Sequence, residues 1–87
     1  MELEKEVENY TVYILYSSSL EKYYIGQTSN FESRIHRHNS GHEKFTKNSL
    51  PWILIWKNEV STRSLAVKLE KQIKKRGAKR YLEKLGV

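Results

Sequence analysis

The sequence predicts an α/β fold in which a small three-stranded antiparallel sheet is flanked by helices in the order ββαβαα. Three observations carry that expectation. The β-branched and aromatic runs "YTVYILY" and "YYIG" stand on either side of the polar stretch "SSSLEK", as in a hairpin. A third apolar run, "WILIW", follows Pro51. Two segments with 3.6-residue periodicity and recognisable caps lie between and after these runs. A chain of 87 residues suits one domain with one modest core, spanning 1–87, with residues 1–9 as a flexible N-terminal segment.

The first strand covers Tyr10 to Tyr16, and the second ends at Gly26 after a loop of about six residues. "TSNFESRIHRHNSG" reads as a helix with Ser29 or Asn30 as N-cap, Glu32 in the first turn and Asn39 with Gly41 as the stop. Phe31 and Ile35, four apart, give it an apolar line, while Thr28 and Asn39 read as turn or cap residues. "GHEKFTKNSLP", with His42 and Lys44, reads as a polar, mobile loop. The third strand is apolar on both faces at its start, which predicts that it is covered, with Trp52 and Trp56 on one face as core. Ser61 or Thr62 caps a second helix with Leu65, Ala66, Leu69 and Ile73 inward, ending near Gly77. The terminal helix "AKRYLEKLG" turns Tyr81, Leu82 and Leu85 inward.

With no cysteine, a thiolate nucleophile, a Cys-type zinc site and a disulfide framework are excluded. No apolar run approaches the roughly 20 residues of a membrane span, and "MELEKEVENY" is acidic where a signal peptide is basic and then apolar. The expectation is a soluble, cytoplasmic protein with no membrane partner. Residues 57–87 hold ten Lys/Arg against three Glu, whereas residues 1–56 hold six against seven. Such a bias draws polyanions, nucleic acid first among them, although a solvated lysine-rich helix face gives the same count. The densest cluster is Lys74, Lys75, Lys79 and Arg80.

Three features invite chemistry. Five tyrosines, Tyr10, Tyr13, Tyr16, Tyr23 and Tyr24, precede the first helix, and their hydroxyls can handle protons or hold phosphate as well as fill a sheet. On that helix Arg34 and His38, four apart, share a face beside Phe31 and Ile35. Glu70 shares the inward side of the second helix with Ala66 and Ile73 in a basic neighbourhood. Either it pairs with Lys74 at i+4, or it serves as a hard oxygen ligand for Mg²⁺ or Mn²⁺.

Together, Tyr13, Tyr24, Gly26, Arg34, His38 and Glu70 resemble the GIY-YIG nuclease family. The first motif appears as "TVY", Thr11 to Tyr13, and the second as an intact "YIG", Tyr24 to Gly26, with ten residues between them. Arg34 stands at the family's helix arginine, His38 one turn later and Glu70 at its metal-binding glutamate. "RIHRHNSG" and "PWILIW" look most like the small stand-alone bacterial branch, similar to the Slx-type nuclease subunit and the excinuclease N-terminal domain. Thr11 replaces the first glycine, Gln27 stands where some members carry Lys, and the C-terminal Asn of some homing enzymes has no counterpart.

The resemblance implies a metal-dependent endonuclease that hydrolyses DNA phosphodiester bonds, directed by structure rather than sequence, in repair or recombination. Phosphodiester hydrolysis needs an activated water, neutralised phosphoryl oxygens and help for the leaving 3′-oxygen. Tyr13 would accept the water proton, which requires nearby positive charge, since a free tyrosine titrates near pH 10. Arg34 would supply that charge and hold a phosphate oxygen. In the family picture Tyr24 and His38 complete the network around the nucleophile, and Glu70 holds one divalent cation, Mg²⁺ or Mn²⁺. Gly26 is a motif residue that turn geometry also explains, and Lys74, Lys75, Lys79 and Arg80 would contact the DNA backbone. The alternative is a catalytically weak or inactive nucleic-acid-binding module of the same fold. A protein partner supplying specificity is compatible with both, whereas a pure protein-interaction subunit leaves the Tyr, Arg and Glu arrangement unexplained.

Overall fold

A computed structural model describes residues 9–40 and 51–86, so the expectations for residues 1–8, Gly41, His42, Lys44 and the "GHEKFTKNSL" loop lie outside the described residues. The elements are β1 (Tyr10–Ser17), β2 (Lys22–Thr28), α1 (Phe31–Asn39), β3 (Ile53–Val60), α2 (Arg63–Arg76) and α3 (Ala78–Leu85). All strand pairs are antiparallel, in the order β2-β1-β3. This is the small sheet between helices, ββαβαα, that the sequence predicts.

β1 is the central strand, and its alternation builds two cores. Val12 and Ile14 point to one face, where Ala66 and Ile73 of α2 and Ala78 and Leu82 of α3 bury them. Tyr13 and Leu15 point to the other, where Trp52 is buried with them and Tyr24, Phe31 and Ile35 pack alongside. Covered on both faces, β1 is buried continuously from Thr11 to Leu15, the signature of an inner strand.

The caps hold as local chemistry dictates. Asn30 Oδ1 accepts from Ser33 N–H at 3.1 Å to start α1, and Thr62 Oγ1 accepts from Leu65 N–H at 3.1 Å to start α2. Thr28 is a turn residue, its hydroxyl accepting from Asn30 N–H at 3.0 Å. Gly77, with φ of +96°, joins α2 to α3 in a conformation that L side chains rarely adopt.

Five readings change. β3 is an edge strand, not a covered one: Ile53, Leu54 and Ile55 are exposed, because β1 takes the central place. Trp52 and Trp56 lie on opposite faces. Trp56 pairs with Ile14 and Leu54 with Leu15, so Ile55 is an extra residue in a bulge that inverts the alternation. Gly26 lies inside β2, which runs on to Thr28, and the hairpin loop shortens to residues 18–21. Leu65 and Leu85 are exposed; Leu65 sits about 100° around the helix from the Ala66–Ile73 line that meets the sheet. Asn39 does more than end α1: its side-chain amide accepts from Trp52 N–H at 2.8 Å and donates to Trp52 O at 3.3 Å. That two-point clasp fixes where the chain enters β3.

Candidate active site

The α1 face of the sheet carries a buried polar pair. Tyr13 projects from the middle of β1, and His38 lies on the inward line of α1, one turn beyond Ile35. Both are fully buried, and Tyr13 Oη lies 3.1 Å from His38 Nε2. Two buried polar groups bonded to each other spare the fold the cost of leaving either unsatisfied.

Gly26 makes room for this pair. It sits directly across from Tyr13 in the β1–β2 ladder, where a Cβ would fall 2.6 Å from Tyr13 Oη and 2.8 Å from Cζ. The Tyr13 ring therefore occupies the volume that any other side chain would take, and close approach, not turn geometry, requires the glycine.

Aromatic rings complete the surroundings. Tyr24, across from Leu15, stacks edge-on against His38 at 4.8 Å between centroids and lies 6.3 Å from Tyr13. Phe31 meets Tyr13 edge-on at 5.6 Å, and Trp52 meets Tyr24 at 6.2 Å. Tyr24 is half-buried, whereas Tyr13 and His38 are fully buried. Lys57, across from Tyr13 on β3, places its ammonium 4.7 Å from the Phe31 ring centroid.

Arg34, also on α1, points toward the end of β2, where it shares a polar pocket of about 300 Å³ with Tyr10, Gln27, Thr28, Ser29 and Arg63. Arg63, the first residue of α2, was not singled out from the sequence, because no local pattern tells that two helix starts meet around one strand edge.

Glu70 lies on α2, the helix that packs against the sheet face opposite Tyr13. Its carboxylate, 19% exposed, bonds Lys74 Nζ at 2.8 Å, the i+4 pairing considered from sequence. Among the described residues no three His, Cys, Asp or Glu side chains cluster to hold a metal. A single carboxylate still fits a Mg²⁺-type ion that draws the rest of its shell from water and substrate phosphate. Lys74, with its side chain 55% exposed, is the solvent-facing member of this pair, so the contact is screened by water.

Of the predicted basic cluster, Lys75 and Arg80 share a pocket of about 360 Å³ with Arg76 and Gln72. Lys74 is held by Glu70, and Lys79 is exposed on α3. No described helix is long and apolar enough to cross a membrane.

Residues 9–83 match the family model of the GIY-YIG catalytic domain. No curated protein matches the chain. Among solved structures, it is similar to the solution NMR structure of the UPF0213 protein BH0048 from Bacillus halodurans, with 25% identity, 90% of this chain and 83% of that one covered, and a TM-score of 0.56. A family match over most of the chain, on the fold that carries the Tyr13, Tyr24 and Gly26 motif strands side by side, means that this chain belongs to the GIY-YIG nuclease family.

Proposed function

We propose that this chain is an endonuclease that hydrolyses phosphodiester bonds of DNA, guided by DNA structure rather than base sequence, in repair or recombination in the cytoplasm. Residues 1–87 act as one nuclease domain, and a protein partner supplies substrate choice. The observation that carries this reading is the Tyr13–His38 hydrogen bond over Gly26. A phenol bonded to an imidazole is a proton-handling pair, and a sheet core has no need of one.

With the imidazole proton on Nδ1, Tyr13 Oη donates to His38 Nε2. As water attacks phosphorus, its proton passes to Tyr13 while the phenol proton moves to His38. The P–O3′ bond breaks, the 3′-oxygen takes a proton from solvent water and leaves as the 3′-hydroxyl, and His38 returns to solvent the proton it received. Arg34 holds the non-bridging phosphate oxygens and offsets their charge. Tyr24 positions the attacking water from the open side. Substrate binding has to uncover Tyr13, which is fully buried. Glu70, on the helix across the sheet from Tyr13, would hold one Mg²⁺ or Mn²⁺, which when bound would supply charge neutralisation to the substrate phosphate. Lys75, Lys79 and Arg80, with Lys74 once Glu70 releases it, hold the DNA backbone.

The burial of Tyr13 and the Glu70–Lys74 pair favour one other reading, a nucleic-acid-binding module with little or no turnover. A cleavage assay over single-stranded, duplex, nicked, flap and branched DNA with Mg²⁺ or Mn²⁺ separates the two. The enzyme reading expects cleavage of at least one DNA, silenced by a chelator and by Glu70→Gln, with binding retained. Cleavage of none, or Glu70→Gln cutting at the wild-type rate, gives the module reading.

A further inference from the structure

A row of three side chains crosses the sheet at its hairpin end: Tyr23 of β2 pairs with Tyr16 of β1, and Tyr16 with Ile53 of β3. Residues paired across strands share a face, and Tyr16, two steps along β1 from Ile14, puts this row on the face that α2 and α3 cover. Neither tyrosine is part of either core. Tyr23 is 38% and Ile53 50% exposed, Tyr16 is half-buried, and the two rings lie 5.0 Å apart between centroids. With strands about 4.8 Å apart the row spans about 10 Å, room for one or two bases laid flat. The helices over this face carry nine Lys/Arg against two Glu, while Glu21 and Lys22 beside the row offset each other. Val60 pairs with Tyr10 and α2 begins three residues later, so the helix sets out from the opposite end of the face and, with Ala66 and then Ile73 packed on it, runs back for about 21 Å. Its basic last turn, with Lys75 and Arg76, therefore falls toward the Tyr16–Tyr23 end. Aromatic rings on an open sheet face beside cations suit unpaired bases, which stack on the rings while the cations hold the backbone. The excess of positive charge selects such a polyanion over an uncharged apolar peptide.

We propose that Tyr16 and Tyr23 form a stacking platform for unpaired bases, through which this chain selects DNA carrying a single-stranded stretch. The inference rests on the DNA binding of the nuclease reading and names the DNA structure that is chosen. A closed duplex keeps its bases stacked on one another, whereas a flap or overhang offers their faces to the rings. Two paired strands hold the rings in place before binding, so little side-chain freedom is lost.

The test is equilibrium binding, across a salt series, of a labelled duplex with a single-stranded overhang and of the same DNA with abasic sites throughout the overhang. Both probes carry the same phosphates, so they differ only in the bases. The proteins compared are the wild type, Tyr23→Ala, Tyr23→Phe, Tyr16→Ala and Leu65→Ala, which trims an exposed apolar side chain at the start of α2. Urea unfolding checks that each is folded, and the two variants at exposed Tyr23 decide the matter if Tyr16→Ala loosens the hairpin. The wild type is expected to bind the overhang with bases roughly tenfold more tightly than the abasic one. Tyr23→Ala loses that preference with the slope of log affinity against log salt unchanged, because no cation has been removed. Tyr23→Phe keeps it, since the ring and not the hydroxyl stacks. Tyr23→Ala behaving like Leu65→Ala, or a wild type that binds both probes alike, overturns the proposal. A wild type that binds no DNA overturns the nuclease reading with it. DNA cleavage by a wild type indifferent to the bases removes the platform and leaves the nuclease reading standing; a preference for bases without cleavage of any DNA does the reverse.

Discussion

Two glycines separate two ways in which a side chain is forbidden. At Gly26 there is no room: a methyl group would press on Tyr13 Oη and Cζ. At Gly77 a Cβ meets nothing within 4 Å, but φ is +96°. Gly26→Ala is expected to destabilise the protein by about 1–3 kcal/mol, as overpacking does, and to break the Tyr13–His38 bond. Gly77→Ala costs a similar ~1–3 kcal/mol through backbone strain while leaving that bond intact. Urea unfolding measures both losses, and the His38 side-chain NMR signals tell the two mechanisms apart. If Gly77→Ala shifts His38 and Gly26→Ala does not, the steric account of Gly26 is wrong. The motif spacing shows that a glycine belongs here; that it lies mid-strand under a tyrosine ring is a cross-strand fact, invisible in a local pattern.

The elements were legible wherever a local rule decides them. Asn30 and Thr62 cap because a short acceptor precedes an apolar period, and Tyr13 and Tyr24 share a face because alternation and antiparallel pairing put them there. β3 departs from the sequence expectation because strand order is not local: "WILIW" has the pattern of a covered strand, but β1 holds the central place. The extra residue at Ile55 then sends Trp52 and Trp56 to opposite faces, which no count along the sequence anticipates. The Asn39 clasp on Trp52 belongs to this scale too. Asn39→Ala removes two hydrogen bonds to one backbone unit and is expected to cost roughly 1–3 kcal/mol. Amide hydrogen exchange localises the loss: faster exchange at Trp52 and the start of β3 is expected, and uniform change across the sheet would refute a local clasp.

For the whole molecule, the excess of positive charge has a defined place. Of the basic residues read from the sequence as one cluster, Lys75 and Arg80 join Arg76 in a groove, while Lys74 faces Glu70. Changing Lys75, Arg76 and Arg80 together to Gln is expected to weaken DNA binding across unrelated sequences and to lower the salt slope by up to roughly three. An unchanged slope would make this groove a solubilising surface only. Fold and family lie close to the surface of the sequence, since motif order and alternation encode them; the meeting of Arg34 with Arg63 and the burial of Tyr13 depend on how helices cross a sheet. The central claim is that Tyr13 handles the proton of the attacking water, and its most direct test is the single-turnover cleavage rate of Tyr13→Phe against wild type on saturating DNA. Loss of the hydroxyl is expected to slow cleavage by about 10²–10⁴-fold with DNA affinity unchanged, whereas cleavage at the wild-type rate would contradict the claim.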